Sequence, residues 1–409
     1  MPLKTHSLFS RFSLSGAVLV AALSGCKAPE TAASGNGASA NTVASTSGAS
    51  TSKPYTGENL TIGLYGSLTG STATFGLSSQ NGIKMAFDEI NAKKPPLGKK
   101  LELVSEDDGS RTEQVPSVVQ KLINQRGVLA LLGEVASSRS LAAAPIAQRA
   151  GVPMVSPSST NPKVTQVGDY IFRTCFIDPF QGTVMAKFGR TTLKAQKAAI
   201  LTDVANDYSK GLTEFFTNEW KRSGGTIVAT ESYSEGDKDF QAQLTKIKGT
   251  APDVIYVPGY YTEVGNIAVQ ARRLGIKQVL MGGDGWDSPK LFEIGGQAIQ
   301  GAYFSNHYSA QSKDPRVVKF VADYKKVHGG ETPDAIAAVA YDAAYLLSNA
   351  IERAGAPDRA KIREALATTK DFQGVTGKIS IDKDRNAVKP AVVLKVQGKE
   401  GVFVSTVNP

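Results

Sequence analysis

LTIGLYGSLTG, residues 60–70, begins the folded part of this chain and sets its structural pattern. The apolar first half of this stretch predicts a short buried strand, which a polar, glycine-flanked turn follows directly. An amphipathic segment comes next, in which Ile83, Phe87 and Ile90 recur at helical spacing within residues 80–91. A strand, a turn and a helix in this order are typical of a parallel sheet with helices on its faces.

The same alternation of apolar runs and amphipathic segments continues along the chain and restarts after about residue 178. We predict further strands at 101–104, 128–132, 153–156, 198–202, 226–230, 254–257 and 278–281. The folded part spans about 350 residues, which is more than a single hydrophobic core supports. The sequence therefore predicts an α/β protein with two doubly wound parallel-sheet lobes.

The N-terminus predicts export and a lipid anchor. Lys4 and Arg11 precede the apolar run 17–23, which is much shorter than the ~20 residues of a membrane span. The next residues, Ser24, Gly25 and Cys26, complete a stretch that resembles the bacterial lipoprotein box. We expect a signal peptide over residues 1–25 and acylation of Cys26, which places the protein outside the cytoplasm. An ordinary signal peptide with a chance cysteine is the alternative.

The composition of the mature protein limits the classes of partner that it can bind. Residues 26–57 form an Ala/Ser/Thr/Gly-rich segment with few large apolar side chains, so we predict a flexible linker. Loss of the signal peptide lowers the formal net charge from +9 to +7, because Lys4 and Arg11 leave with it. The remaining basic residues are dispersed along the chain. We therefore expect a membrane-tethered protein that does not bind nucleic acid.

Motifs of catalysis and metal binding are missing from the sequence. It contains no Gly-x-Ser-x-Gly, His-Glu-x-x-His, Cys-x-x-Cys or phosphate-loop pattern. His307 and His328 are not at metal-ligand spacing, and the segment from Asp382 lacks the glycine and the final acid of a calcium loop. Cys175 lies in an apolar strand pattern and is expected to be a buried, inert thiol. We predict no enzyme activity, no metal and no cofactor.

Polar and aromatic residues follow the predicted strands, where open parallel sheets bind their ligands. In the first block these segments offer hydroxyls and amides, and in the second they offer carboxylates and aromatic rings. The segments are 66–76, 133–138, 156–162, 203–208, 259–263 and 282–287.

Taken in order, these segments resemble the substrate-binding proteins of bacterial ABC importers, in the branched-chain (hydrophobic) amino acid family with the type I periplasmic-binding fold. The resemblance rests on residues 66–70, 97–108, 133–138, 151–162, 172–178, 259–263, 270–272, 282–287, 341–343 and 374–378. It implies two lobes, 58–177 plus 306–383 and 178–305 plus 384–409, joined by a three-strand hinge that closes a cleft on the ligand. It also implies an amino acid ligand, an ABC permease as partner and a monomeric protein.

The resemblance assigns the polar groups of the cleft. By similarity, Ser137, Ser158 and Thr160 hold the ligand carboxylate and ammonium, and neighbouring Ala136 and Ser159 contribute to the same contact. Because Ser137 begins a predicted helix, backbone amides there also favour an anion. Asp284 takes the position of an acidic residue, glutamate in the family, that accepts from the ammonium. Helix capping and an ordinary turn aspartate are the alternatives.

Aromatic residues after the strands are candidates for an apolar wall. Phe75, Tyr208 and Tyr260 match pocket positions of the family, and Trp286 follows Asp284 in the same loop. Ordinary core packing is the alternative for each of them. We expect Glu134 to be a solvated carboxylate rather than a ligand contact.

Two other functions stay open from the sequence. The same fold serves ligand sensors that are not coupled to transport, and related proteins take polar amino acids, amides, urea or aromatic acids. An exported hydrolase is a third class, for which no nucleophile and base pair is visible. The ligand itself is not determined by the sequence.

Overall fold

A computed structural model describes residues 55–409 of the chain. The predicted signal peptide, Cys26 and most of the predicted linker lie outside the described residues. Among the helices of residues 55–409, none combines the length and the apolar character needed to cross a bilayer.

The first sheet contains five strands, all parallel. They are β1 (Leu60–Gly66), β2 (Leu101–Asp107), β3 (Ala130–Leu132), β4 (Met154–Ser156) and β5 (Ile171–Arg173). The helices between them are α1 (Ala73–Lys93), α2 (Val115–Asn124), α3 (Ser137–Ala150) and α4 (Lys163–Gln166). The strand order β2-β1-β3-β4-β5 is doubly wound, with the reversal at β1 and β3.

The chain then builds most of a second sheet. Its strands are β6 (Lys197–Asp203), β7 (Thr226–Tyr233), β8 (Val254–Tyr256), β9 (Val279–Gly282) and β10 (Tyr303–Asn306). The accompanying helices are α5 (Asp178–Thr191), α6 (Asp207–Arg222), α7 (Gln241–Gly249), α8 (Tyr261–Arg273) and α9 (Pro289–Gly295). The order β7-β6-β8-β9-β10 repeats the doubly wound arrangement of the first sheet.

After β10 the chain returns to the first sheet. It forms α10 (Pro315–Val327), α11 (Ala335–Ala354), α12 (Arg359–Ala367) and a small antiparallel sheet of β11 (Phe372–Gly374), β12 (Gly377–Ile381) and β13 (Ala387–Val388). Helix α11 packs along α1, where a Cβ on Gly82 would collide with the Ala337 carbonyl. Ile379, Ile381 and Ala387 share one core with strand residues of the first sheet.

The last segment crosses back and completes the second sheet. Strands β14 (Ala391–Gln397) and β15 (Glu400–Val407) add to it antiparallel, beside β10. The chain therefore passes three times between the first lobe, built on the five-stranded sheet, and the second lobe, built on the seven-stranded sheet. The predicted two-lobed α/β class is confirmed.

The structure differs from the predicted start of α1 and agrees with the predicted turn at Asp382. Helix α1 begins at Ala73, earlier than the apolar periodicity predicts, because Phe75, Gly76 and Ser79 are buried by contacts beyond the helix itself. The calcium-loop-like segment at Asp382 is a turn between β12 and β13, as expected, in which Asp382 Oδ1 accepts from the Asn386 amide at 2.8 Å.

Candidate ligand site between the lobes

The loops after the parallel strands of the two sheets face one another. Ser138 Oγ donates to Asp207 Oδ2 at 3.0 Å, and Thr262 Oγ1 donates to the Ser71 carbonyl at 2.7 Å. Both contacts join the first lobe to the second. The carboxyl ends of both sheets thus meet at one interface, and the lobes are closed on each other.

Asp284 is the most heavily hydrogen-bonded carboxylate of this interface. Its loop follows β9, and the side chain is buried. Oδ1 accepts from Tyr208 Oη at 2.9 Å and from Gln181 Nε2 at 3.0 Å. Oδ2 lies 3.2 Å from Ser158 Oγ and 2.9 Å from His307 Nε2. A buried carboxylate satisfied by hydrogen bonds but by no Lys or Arg is suited to receive a cationic group.

Two of these partners were not among the predicted site residues. Gln181 lies in the first turn of α5, where nothing in the sequence distinguishes it from other polar helix residues. His307 follows β10 directly, and only its lack of metal-ligand spacing was apparent from the sequence. Their proximity to Asp284 comes from the packing of α5 and β10 beside β9.

Some hydroxyl groups of the predicted site already form hydrogen bonds within the protein, and one does not. Ser137 begins α3, and its Oγ accepts from the Asn161 amide at 3.2 Å. Ser159 Oγ contacts Ser140 Oγ at 2.7 Å and the Glu134 carbonyl at 2.9 Å, so it joins two loops of one lobe. Thr160 Oγ1 is buried and makes no well-formed hydrogen bond within the described residues.

Beside Thr160 lies a second buried carboxyl group. Asp178 begins α5, and its Oδ1 accepts from Gln181 Nε2 at 2.9 Å. Its Oδ2 has no hydrogen-bond partner among residues 55–409. Burial, with a smaller contribution from nearby Asp284, raises the pKa of Asp178 to about 7.

The predicted aromatic wall is assembled from both lobes. Phe75 of the first lobe meets Tyr260 edge to face, with ring centroids 5.4 Å apart, and Tyr261 in the same manner at 5.1 Å. Tyr260 in turn stacks on Tyr208 at 5.3 Å. Burial raises the pKa of both Tyr208 and Tyr260 well above the ordinary value, so both phenols are neutral donors.

Trp286 has a different environment from the other aromatic candidates. Its indole Nε1 donates to the Val257 carbonyl at 3.0 Å, and its ring lies against Phe304 and Gly282. These contacts belong to the core of the second lobe. Trp286 therefore supports the loop of Asp284 from behind.

Glu134 is not a solvated carboxylate, which corrects the expectation. It is 1% exposed, and its Oε1 accepts from Ser67 Oγ at 2.7 Å and lies 3.7 Å from Arg139 Nη1. Ala136, also predicted for the site, donates its backbone amide to Glu134 Oε2. The carboxylate thus organises the loop before α3, and the sequence missed it because the buried Arg139 partner comes from one helical turn further on.

Cys175 has the buried environment predicted for it. The thiol is fully buried between β5 and α5 and is free of any disulfide. Burial raises its pKa to about 12, which leaves little thiolate at neutral pH.

Comparison with known proteins identifies the family. A profile described as periplasmic binding protein matches residues 59–401. The chain belongs to this periplasmic binding protein family. Two lobes that meet at the carboxyl ends of their sheets are the arrangement in which such a family places its ligand.

Several relatives of this periplasmic binding protein have names that specify a ligand. The Leu/Ile/Val-binding protein BraC3 of Rhizobium johnstonii is 33% identical over 80% of this chain and 88% of its own length. The crystal structure of a leucine binding protein, LivK, from Thermotoga maritima is 42% identical, with a TM-score of 0.82 over 86% of this chain and 99% of that one. The branched-chain amino acid transporter substrate binding protein LivJ of Streptococcus pneumoniae, in complex with isoleucine, is 38% identical, with a TM-score of 0.81 over 86% of this chain and 100% of that one.

Proposed function

We propose that this protein is an extracytoplasmic solute-binding lipoprotein that captures a branched-chain or other hydrophobic amino acid and delivers it to an ABC permease. The observation that carries this proposal is the Asp284 carboxylate, buried between the lobes and free of any Lys or Arg partner among the described residues. An α-amino acid supplies the cationic group that such a carboxylate lacks.

The ammonium of the ligand binds at Asp284. Ser158 Oγ makes the longest of the four contacts to this carboxylate, at 3.2 Å, and it is the donor that an entering ammonium displaces. The released hydroxyl then bonds to the ligand instead. This exchange keeps both Asp284 Oδ2 and the Ser158 hydroxyl paired once the ligand is bound.

The carboxylate of the ligand binds at the opposite wall. Thr160 Oγ1 makes no well-formed hydrogen bond within the described residues, and the start of α3 at Ser137 presents backbone amides and a positive helix end. The side chain of the ligand then lies against Phe75 and Tyr260. Ser159 holds the loop through bonds within the first lobe and does not touch the ligand.

Ligand binding and closure are coupled in this proposal. The ammonium acceptor Asp284 belongs to the second lobe, and Ser137 and Thr160 belong to the first, so a bound amino acid stabilises the closed state through both lobes. We propose lobe boundaries near 177 and 306, as expected. The third boundary is proposed between β13 and β14, because β13 pairs with β12 and Ala387 packs in the core of the first lobe.

The location of the protein follows from its N-terminus. We propose cleavage after Gly25, acylation of Cys26 and a linker over residues 26–57 that connects the anchor to a monomeric binding domain, which reaches a permease. The agreement of a short apolar run with the lipoprotein box supports this assignment.

Calorimetric titration of the mature chain tests the ligand class. The chain carries Cys26→Ser to prevent acylation, and it is unfolded and refolded first to remove carried-over ligand. Micromolar or tighter binding of leucine, isoleucine or valine is the expected result. Binding of urea, amides or aromatic acids without any amino acid would overturn the amino acid assignment and keep the fold.

Transport is tested separately from binding. Vesicles that contain a branched-chain amino acid ABC permease from the same organism should accumulate radiolabelled leucine only when this protein is present. Tight binding without accumulation would instead support a ligand sensor of the same fold. Turnover of an ester or amide by the refolded protein would support the hydrolase class.

A further inference from the structure

The imidazole of His307 contacts residues of both lobes that are proposed to bind the ligand. His307 lies where the chain leaves β10 for the first lobe, and its imidazole is fully buried. Nε2 is 2.9 Å from Asp284 Oδ2 and 3.0 Å from Ser158 Oγ. The ring packs against Phe176 of another inter-lobe segment, with centroids 4.1 Å apart and the two planes tilted by 32°. This packing holds the imidazole against the carboxylate.

The hydrogen-bond geometry specifies the tautomer. Because an ionised carboxylate only accepts hydrogen bonds, Nε2 carries the hydrogen that faces Asp284. Nδ1 is then a bare acceptor in neutral His307, and it is buried without a partner among the described residues. Of the four donors to Asp284, the hydroxyls of Tyr208 and Ser158 and the amide of Gln181 stay neutral, so only His307 changes charge between pH 5 and pH 8.

We propose that His307 sets the net charge of the ammonium site, so that acidification weakens amino acid binding. With a neutral imidazole the Asp284–His307 pair carries one negative charge, which attracts the ligand ammonium. With an imidazolium the pair is neutral overall, and the ammonium shares its acceptor with another cation. This proposal rests on the proposed function, since it requires an ammonium at Asp284.

The direction of the pH effect reports the charge of the ligand. An α-amino acid loses affinity when His307 is protonated, because its ammonium loses the unshared counter-charge. An aromatic or other carboxylic acid without an ammonium gains affinity under the same change. Burial lowers the pKa of His307 and Asp284 opposes this shift, so the imidazole is neutral at pH 7.5.

Other titratable groups lie in the same buried region. Lys389 and Cys175 come from the other two inter-lobe segments, and burial places their pKa values at about 8 and about 12, respectively. Neither group changes charge between pH 5.0 and pH 6.5. Asp342 lies beside Lys389, and burial raises its pKa as well. Asp178, whose pKa burial raises to about 7, titrates in a similar window and needs its own variant.

The experiment is titration of the mature chain with leucine between pH 5.0 and pH 8.0. We expect the Kd of the wild type to rise as the pH falls through the lowered pKa of the imidazole, by up to about tenfold per pH unit below it. His307→Gln keeps a side-chain amide donor and should give a flat profile. His328→Gln is the matched control, because His328 also packs against an aromatic ring, that of Tyr324, with centroids 4.1 Å apart, and is not among the side-chain partners of Asp284. It should retain the slope of the wild type.

The outcomes distinguish the proposed role of His307 from the proposed function itself. A flat wild-type profile, or a slope that persists in His307→Gln and disappears in Asp178→Asn, overturns the role of His307. Absence of leucine binding at every pH contradicts the proposed function instead. If His307→Gln does not fold, calorimetry of the wild type in two buffers of different ionisation enthalpy at pH 5.5 measures proton release. Release of up to one proton per bound leucine supports the proposal, and none contradicts it.

Discussion

Arg139 Nη2 lies 2.9 Å from Glu235 Oε1, and this ion pair joins the two lobes. Arg139 belongs to α3 of the first lobe and is 1% exposed, whereas Glu235 follows β7 of the second lobe. The guanidinium is held in its own lobe by Thr72 Oγ1 at 2.9 Å and by the Ser110 carbonyl at 2.7 Å. The arginine is thus positioned by the first lobe, and closure brings Glu235 to it.

Glu235→Gln should therefore weaken ligand binding without touching the ligand. The closed state of the variant buries Arg139 without its partner from the second lobe, which shifts the population toward the open state. We expect Kd for leucine to rise by about tenfold, measured by calorimetry. Glu231→Gln is the control, because Glu231 pairs with Lys246 at 3.1 Å within the second lobe alone. An equal effect of both changes would contradict a closure contact.

Asp284→Asn should abolish most of the affinity for an amino acid. The amide keeps the size of the side chain but leaves the buried ammonium without a counter-charge, which costs about 3–5 kcal/mol, more than a hundredfold in Kd. Asp253→Asn changes a carboxylate of the second lobe that accepts from the Lys197 amide at 2.8 Å within that lobe alone. It should leave the affinity within a few-fold of the wild type. Wild-type affinity in Asp284→Asn would place the ligand elsewhere.

Thr160→Val and Ser159→Ala should separate ligand contact from loop support. The Thr160 hydroxyl has no well-formed partner within residues 55–409, so valine should preserve stability and weaken leucine binding by about tenfold. The Ser159 hydroxyl joins two loops, so alanine should cost about 1–2 kcal/mol of unfolding free energy. Urea denaturation and calorimetry of both variants measure the two effects. The opposite assignment of effects would reverse the roles given to these neighbours.

Asp178→Asn should change how stability depends on pH. The folded pKa of Asp178 is about 7, above the unfolded value of about 3.9, so the native state holds a proton that the unfolded chain releases between pH 4 and pH 7. Stability from this group is present at low pH and is lost as the pH rises through 7. At pH 8 the asparagine variant should be more stable than the wild type by up to about 4 kcal/mol, since about three pKa units are worth about 1.4 kcal/mol each, with little difference at pH 4.

A carboxylate with the opposite shift provides the control for this measurement. Backbone amides of Lys197 and Gln196 hydrogen-bond Asp253 and hold its pKa below the ordinary value. Asp253→Asn should therefore lose stability at pH 8, where Asp178→Asn gains it. Urea midpoints of both variants at pH 5 and pH 8 decide the signs.

Cys26→Ser should release the protein from the membrane. Without the thiol there is no site for acylation, and the short apolar run is insufficient to span the bilayer. Fractionation of cells that express the tagged wild type and variant should show the change from the membrane to the soluble fraction. A membrane-bound Cys26→Ser protein would contradict the lipid anchor.

The alternation of strands and helices could be predicted because it is local. The apolar run 60–64 and the spacing of Ile83, Phe87 and Ile90 depend only on which residues are neighbours along the chain. The loops that follow the strands could also be assigned to one edge, since parallel strands end together. This edge, together with what the resemblance to the branched-chain amino acid family implies, allowed Ser137, Ser158, Thr160 and Asp284 to be proposed as site residues.

The partners of these residues were decided by the tertiary structure. His307 and Gln181 reach Asp284 because β10 and α5 pack beside β9, and no spacing in the sequence encodes that contact. Trp286, which the sequence offered for the ligand pocket, packs into the core of the second lobe.

The burial of polar side chains was also decided by the tertiary structure. A carboxylate at position 134 is expected in solvent from its residue type, yet Glu134 is buried because Arg139, Ser67 and the loop amides surround it. The sequence by itself determined the elements, their order and the edge at which a ligand binds, because these depend on periodicity and chain direction. Which polar groups are buried, paired or left free depends on segments far apart in the chain, and only the folded arrangement of the two lobes decided it.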